Sequence, residues 1–126
     1  MILHWDKDGT PLETLEWAHK FEDYDYRFVG HDWVGPYRIS TLWMGTPPTG
    51  WWFVPEEFQA DGVTPPVFET AVFRGREEQL RIPHFTEAEA LERHLQVIGL
   101  LRVEVRRRPP KLPVNGHEYR RRKAHR

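Results

Sequence analysis

The sequence predicts an α+β fold, a small, mainly antiparallel sheet of three to five strands with two helices on one face, followed by an extended basic C-terminal tail. Three observations predict it. Segments rich in β-branched and aromatic residues, such as 37–44 and 68–73, are bounded by glycine turns. Two other segments open on a capping pattern and continue with apolar residues at helical spacing. A length of 126 residues, 39% of them hydrophobic and 13% aromatic, suffices for one core and not for two. The compact domain is expected over residues 1–101 and the basic, proline-containing tail over 102–126.

Taken in order, residues 1–5 read as a short strand, ended by the turn sequence Asp6-Lys7-Asp8-Gly9. A helix is expected next, with Thr10 as N-cap, Pro11 at the first helical position and a stripe of Leu12, Leu15, Ala18 and Phe21 beside Trp17. Tyr26-Arg27-Phe28-Val29 begins a strand region that runs on toward Gly35-Pro36, and a further strand spans Tyr37 to Met44. Both faces of this second strand become apolar toward Trp43, which predicts a central position in the sheet. Residues 46–66, with five prolines, form a long connection. Phe68 to Phe73 and Gln79 to Pro83 should pair as a hairpin. Thr86-Glu87-Ala88-Glu89 repeats the capping pattern before a second helix, whose expected stripe is Ala88, Leu91, Leu95 and Ile98, with Val97 and Leu101 alongside. Pro109-Pro110 ends any helix that continues through the arginines at 106–108.

These segments together resemble an uncharacterised family of small proteins encoded by actinobacteria and their phages. The residues that carry the resemblance are Trp17-Ala18, Glu22-Asp23 and Tyr26-Arg27, then Ser40-Thr41-Leu42-Trp43-Met44-Gly45, the run from Pro65 to Phe73, and Thr86 to Leu91 with His94. The similarity spans roughly residues 10 to 100, and no activity comes with it. The chain departs from the family pattern where Thr46-Pro47-Pro48 follows Gly45 in place of an acidic residue and a histidine, and again in the tail.

The absence of cysteine excludes disulfides, thiolate zinc sites and cysteine nucleophiles, and fits a reducing compartment. The first residues lack a signal-peptide pattern, and no run approaches the ~18 apolar residues of a membrane span, so a cytoplasmic protein of a bacterial host cell, with no membrane partner, is expected. No cofactor motif or metal-ligand spacing is present: none of the seven histidines lies three to five residues from another, which favours surface or helix-face histidines satisfied by water or backbone over a metal site assembled from different strands. Ser40 lacks a nucleophile-elbow context. Glu69, beside Thr70 in an apolar strand, is the remaining hint of an enzyme, paired with His84 or His94; alternation would otherwise turn it to solvent.

Charge is the most informative feature. Residues 102–126 hold ten basic and two acidic residues, a net of +8, whereas the rest of the chain holds 8 basic and 17 acidic residues, a net of −9. The tail has two clusters, Arg106-Arg107-Arg108 and Arg120-Arg121-Arg122-Lys123, with Lys111, Tyr119 and Arg126 nearby. Arginine forks grip phosphates and a tyrosine stacks on bases, so nucleic acid or a ribonucleoprotein is the direct expectation. An acidic protein surface, whether the chain's own body, a second copy or a host protein, and a merely solvated tail are the alternatives. Trp51-Trp52-Phe53 admits a core lid or the anchor of a host or phage protein partner. The expected function is therefore a non-enzymatic accessory protein that binds through its basic arm, with a protein-interaction module second and a small enzyme third.

Overall fold

Burial of Trp5 and Leu12, rather than the local capping pattern, sets the first elements. In the computed structural model, which describes residues 1–47, 56–59 and 63–108, β1 (His4–Trp5) pairs antiparallel with β2 (Pro11–Leu12), Trp5 lying opposite Pro11. The first helix, α1, spans Thr14–Glu22, which corrects the start expected at Thr10. Its N-cap, Glu13, makes no side-chain capping bond. The backbone N–H of Thr10 donates instead to the Asp8 carboxylate at 2.9 Å. Keeping this stretch extended lets Leu12 join Trp5, Val67 and Phe68 in one apolar cluster. Burying Trp5 and Leu12 contributes about 3 kcal/mol or more, against about 1 kcal/mol for a cap. The expected stripe breaks up accordingly: Leu15 is exposed, and Trp17 turns inward to donate its Nε1–H to the Met44 carbonyl at 2.9 Å.

A single turn, α2 (Tyr24–Arg27), follows, with the Asp23 side chain accepting from the Tyr26 N–H. Tyr26 and Arg27 thus precede the strand they were expected to begin. Both Lys20 Nζ, at 2.7 Å, and the Tyr26 hydroxyl donate to Asp6, which ties α1 and α2 to the N-terminal hairpin.

The sheet is an antiparallel meander of β3 (Phe28–Val34), β4 (Tyr37–Trp43), β5 (Phe68–Arg74) and β6 (Glu77–His84) in that spatial order, with a 3-10 turn at Glu56–Gln59. As its sequence predicts, β4 is central, paired with β3 on one side and β5 on the other. The expected hairpin forms between β5 and β6. Gly35-Pro36 and Gly75-Arg76 make the two tight turns, each opening on a glycine at positive φ.

The second capping pattern does hold. Thr86 Oγ1 accepts from the Glu89 N–H at 3.1 Å and opens α3 (Glu87–Arg107), which lies across all four strands of the meander. The helix runs through the boundary expected at residue 101 and stops at Arg108, immediately before the two prolines. Its buried stripe is Ala90, His94, Val97 and Ile98, continuing to Leu101 and Val105. Of the expected residues Ile98, with Val97 and Leu101 alongside, lies within it, whereas Ala88, Leu91 and Leu95 are exposed. The reason is that Ala90, fully buried, packs with Trp43 and Phe68, while His94 finds polar partners in the sheet beneath it. α1 joins the same core at the Trp43 end, where Trp17 and Trp43 crowd Gly45 so closely that a Cβ there would lie 2.5 Å from the Trp17 ring. The α+β class stands. Among the described residues no helix is long and apolar enough to cross a membrane.

Two apolar clusters fill the space between α3 and the sheet. One gathers Trp5, Leu12, Trp43, Val67, Phe68 and Ala90, and the other Val34, Ile39, Val72, Val97 and Ile98. Between them, in the register of the sheet, sits the pair Thr41 and Thr70.

Candidate functional site

Alternation places Thr41 on the face of Ile39 and Trp43, and Thr70 on that of Phe68 and Val72, so both hydroxyls enter the core beneath α3. They are fully buried and 2.6 Å apart. Each touches a histidine. Thr41 Oγ1 lies 2.7 Å from His94 Nδ1, and Thr70 Oγ1 lies 2.8 Å from His84 Nε2. His94 Nε2 in turn lies 2.7 Å from Asp32 Oδ2, whose side chain is half exposed at the sheet edge. On the far side His84 Nδ1 faces Glu89 Oε1 at 3.9 Å, beyond hydrogen-bonding distance. A line of polar groups therefore crosses the core from Asp32 to His84, with Glu89 beyond it.

The close approach of His94 depends on β3. A Cβ at Gly30 would lie 2.7 Å from His94 Nε2, a separation that real side chains do not adopt, so glycine there opens the place for the imidazole.

The directions of these bonds are determined by counting protons. A neutral His94 that donates its Nε2–H to Asp32 must accept at Nδ1, so Thr41 donates to it. Thr70 then donates to Thr41, and His84 must supply Nε2–H to Thr70. All the inner groups are satisfied in this one arrangement. Burial pushes the His84 pKa below its ordinary value, outweighing the opposing pull of Glu89. A neutral His84 fits the arrangement.

The network corrects the expectation of histidines satisfied by water or backbone, because His84 and His94 are 1% and 2% exposed and bond to side chains. A signal for this was present in the sequence. His94 stands four residues from both Ala90 and Ile98, on the face that packs, and each threonine alternates with bulky apolar neighbours. Among the described residues no cluster of His, Asp and Glu has the makings of a metal site.

Glu69 lies on the opposite face of the sheet from Phe68 and Thr70, so the expected pairing with His84 or His94 does not occur. It is nearly buried rather than turned freely to solvent, and its partner is the Arg81 guanidinium, which also binds Glu78. Thr41 and Thr70, which do meet the histidines, reach no substrate without opening the core.

Of the expected arm, Arg106, Arg107 and Arg108 are described and exposed at the C-terminal end of α3. Lys111, Tyr119, Arg120, Arg121, Arg122, Lys123 and Arg126 lie outside the described residues, as do Trp51, Trp52 and Phe53. A helix of this length measures about 31 Å and the seven-residue strands about 23 Å. Its end extends past the sheet. Val105 is the last side chain packed there, 3.1 Å from the position a Cβ would take at Gly35. The same end carries Arg74 and Arg76 from the β5–β6 turn, because Arg74 stands opposite Tyr37 beside the β3–β4 turn. With Arg38 and Arg102 these groups outnumber Glu77, Glu78 and Glu104, so this end of the domain is basic. Acidic residues collect elsewhere, as at Glu13, Glu16, Glu22, Asp23 and Asp25 around α1 and α2.

Comparison of the chain with protein-family models, with curated proteins and with solved structures finds no match.

Proposed function

We propose that this protein is a non-enzymatic binding protein that engages nucleic acid, or a ribonucleoprotein, through its basic C-terminal arm. One observation carries the reading: Arg102, Arg106, Arg107 and Arg108 stand exposed on a helix end anchored to the domain by Leu101 and Val105, next to Arg74 and Arg76. A rigid helix end holds the first arginine cluster in place. Less entropy is then lost when phosphates bind than with a wholly unstructured arm. The body's net −9 opposes non-specific adhesion of the whole surface and directs phosphate contacts to this end. The setting, an accessory protein of an actinobacterium or its phage, rests on the resemblance carried by the sequence alone.

Binding of labelled nucleic acid across a salt series tests the proposal. Affinity should fall linearly on a log–log plot, and R106A/R107A/R108A should reduce the slope by about 2 to 3. Salt-independent binding, or a slope unchanged in the variant, would overturn it. If the full chain captures only an acidic protein through these arginines, the arm keeps its role and the nucleic-acid reading fails.

A further inference from the structure

The face of the sheet turned away from α3 carries a second set of aromatic and cationic groups. Ile39 and Thr41 point toward the helix, so Arg38 and Ser40 point away from it, together with Trp33 and His31 on β3 and Phe73 and Ala71 on β5. The register forms two rows on this face. In one, Trp33 stands opposite Arg38 and Arg38 opposite Phe73; in the next, His31 stands opposite Ser40, Ser40 opposite Ala71, and Ala71 opposite Arg81.

Three features of these rows suit bases rather than a protein core. Trp33, at 63% exposed, is the most exposed aromatic side chain among the described residues, with the His31 ring edge-on at 6.5 Å. The Arg38 guanidinium, half-buried, lies over the Phe73 ring at 4.5 Å and makes no ion pair among the described residues, a flat cation of the kind on which bases stack. The two carboxylates of this face, Glu69 and Glu78, both bind Arg81, and with Arg38 the face holds two cations against two carboxylates, so it presents no net negative charge to a phosphate backbone. Between His31 and Arg81 the row holds the small side chains of Ser40 and Ala71, both buried.

We infer that this face is a stacking platform for single-stranded nucleic acid, with Trp33 and the Arg38–Phe73 pair taking bases while the backbone runs toward the arginines at the hairpin tips and the end of α3. The inference rests on the nucleic-acid reading above and sharpens it from any polyanion to an unpaired strand. A duplex hides the flat faces of its bases, so only an unpaired strand can use Trp33. Arg74, at the tip of β5, lies 5.9 Å from the Tyr37 ring on the α3 side of the sheet and belongs to the basic end toward which the strand would run.

The test uses the full chain with a labelled mixed-sequence single-stranded RNA and the blunt duplex of the same sequence, at low salt. Trp33→Ala should weaken the single strand by about tenfold and the duplex hardly at all, and Trp33→Phe should restore most of the loss. Because Trp33 is exposed on an edge strand, the variant should fold, which circular dichroism checks. If Trp33→Ala leaves single-strand affinity unchanged while R106A/R107A/R108A abolishes it, the platform is wrong and the arm stands. If the unaltered chain binds neither probe, both readings fall. A concentration-dependent dimer that Trp33→Ala dissociates, with oligonucleotide binding unaffected, would overturn the platform and assign the face to a second copy of the chain.

Discussion

His94 Nε2 lies 2.7 Å from Asp32 Oδ2, while the other ring nitrogen lies 2.7 Å from the fully buried Thr41 hydroxyl. One imidazole therefore joins a half-exposed carboxylate to the interior, and the polar line it begins divides two apolar clusters. Buried groups connected in this way stabilise only when every member is paired.

Thr41→Val or Thr70→Val should each destabilise the domain by about 1–3 kcal/mol, because each leaves a histidine nitrogen buried without a partner and takes from the remaining hydroxyl one of its two hydrogen bonds. The double variant removes both hydroxyls at once, so its loss should be smaller than the sum of the two. Urea unfolding of the four proteins measures this coupling. Strict additivity would mean that the threonines do not act as a pair.

The proton count requires both histidines to be neutral Nε2–H tautomers when His94 is neutral. Nitrogen-15 NMR of the imidazoles near neutral pH should show that pattern. An Nδ1–H tautomer at His84 would show that the chain of donors runs the other way.

Acid should weaken the fold in a defined direction. Burial lowers the His84 pKa below 6.5, so the unfolded chain takes up a proton there before the folded one does. Stability is thus lost as pH falls below about 6.5 and levels off below the folded value. Denaturation at pH 7 and pH 5 should reveal the loss, and His84→Gln should reduce the difference. Some should remain, since burial also lowers the His4 pKa. Asp6 adds a later step. Burial works against its ionisation, but hydrogen bonds from Lys20 and Tyr26 prevail and hold it below 3.8, so its contribution is present above that pH and lost as pH falls through the folded value.

Gly30→Ala should cost about 1–3 kcal/mol or more, because the new methyl collides with the His94 ring. The expected NMR signature is a change at His94 and Asp32 together. A methyl at Gly75 meets nothing within 4 Å, so Gly75→Ala should cost only about 1 kcal/mol, from its positive φ. Equal losses in the two variants would contradict the close packing of His94 on β3.

Two capping patterns look alike in the sequence and should respond differently. Thr86→Ala removes a formed cap and should lower stability by about 1 kcal/mol. Thr10→Ala should change it by less than about 0.5 kcal/mol, since Thr10 precedes a strand rather than a helix. Thermal or urea unfolding distinguishes them.

Local pattern alone determined much of this protein. The alternation in Tyr37–Trp43 and Phe68–Arg74, the glycine turns and the Thr86 cap each depend on neighbours in the chain, and all appear in the structure. The segregation of charge between body and tail was equally legible, as was the end of α3 before Pro109-Pro110. The tertiary structure decided what depends on distant residues. It drew Leu12 into a strand because Trp5 and Val67 offered burial there, and it turned α3 onto Ala90 and His94 because Gly30 and Thr41 received the imidazole. Hydrophobic periodicity treats a buried histidine as a polar interruption. Only when strands from opposite ends of the chain are in register does the interruption acquire partners, and the free energy that fixes which face of the helix is inside comes from those partners.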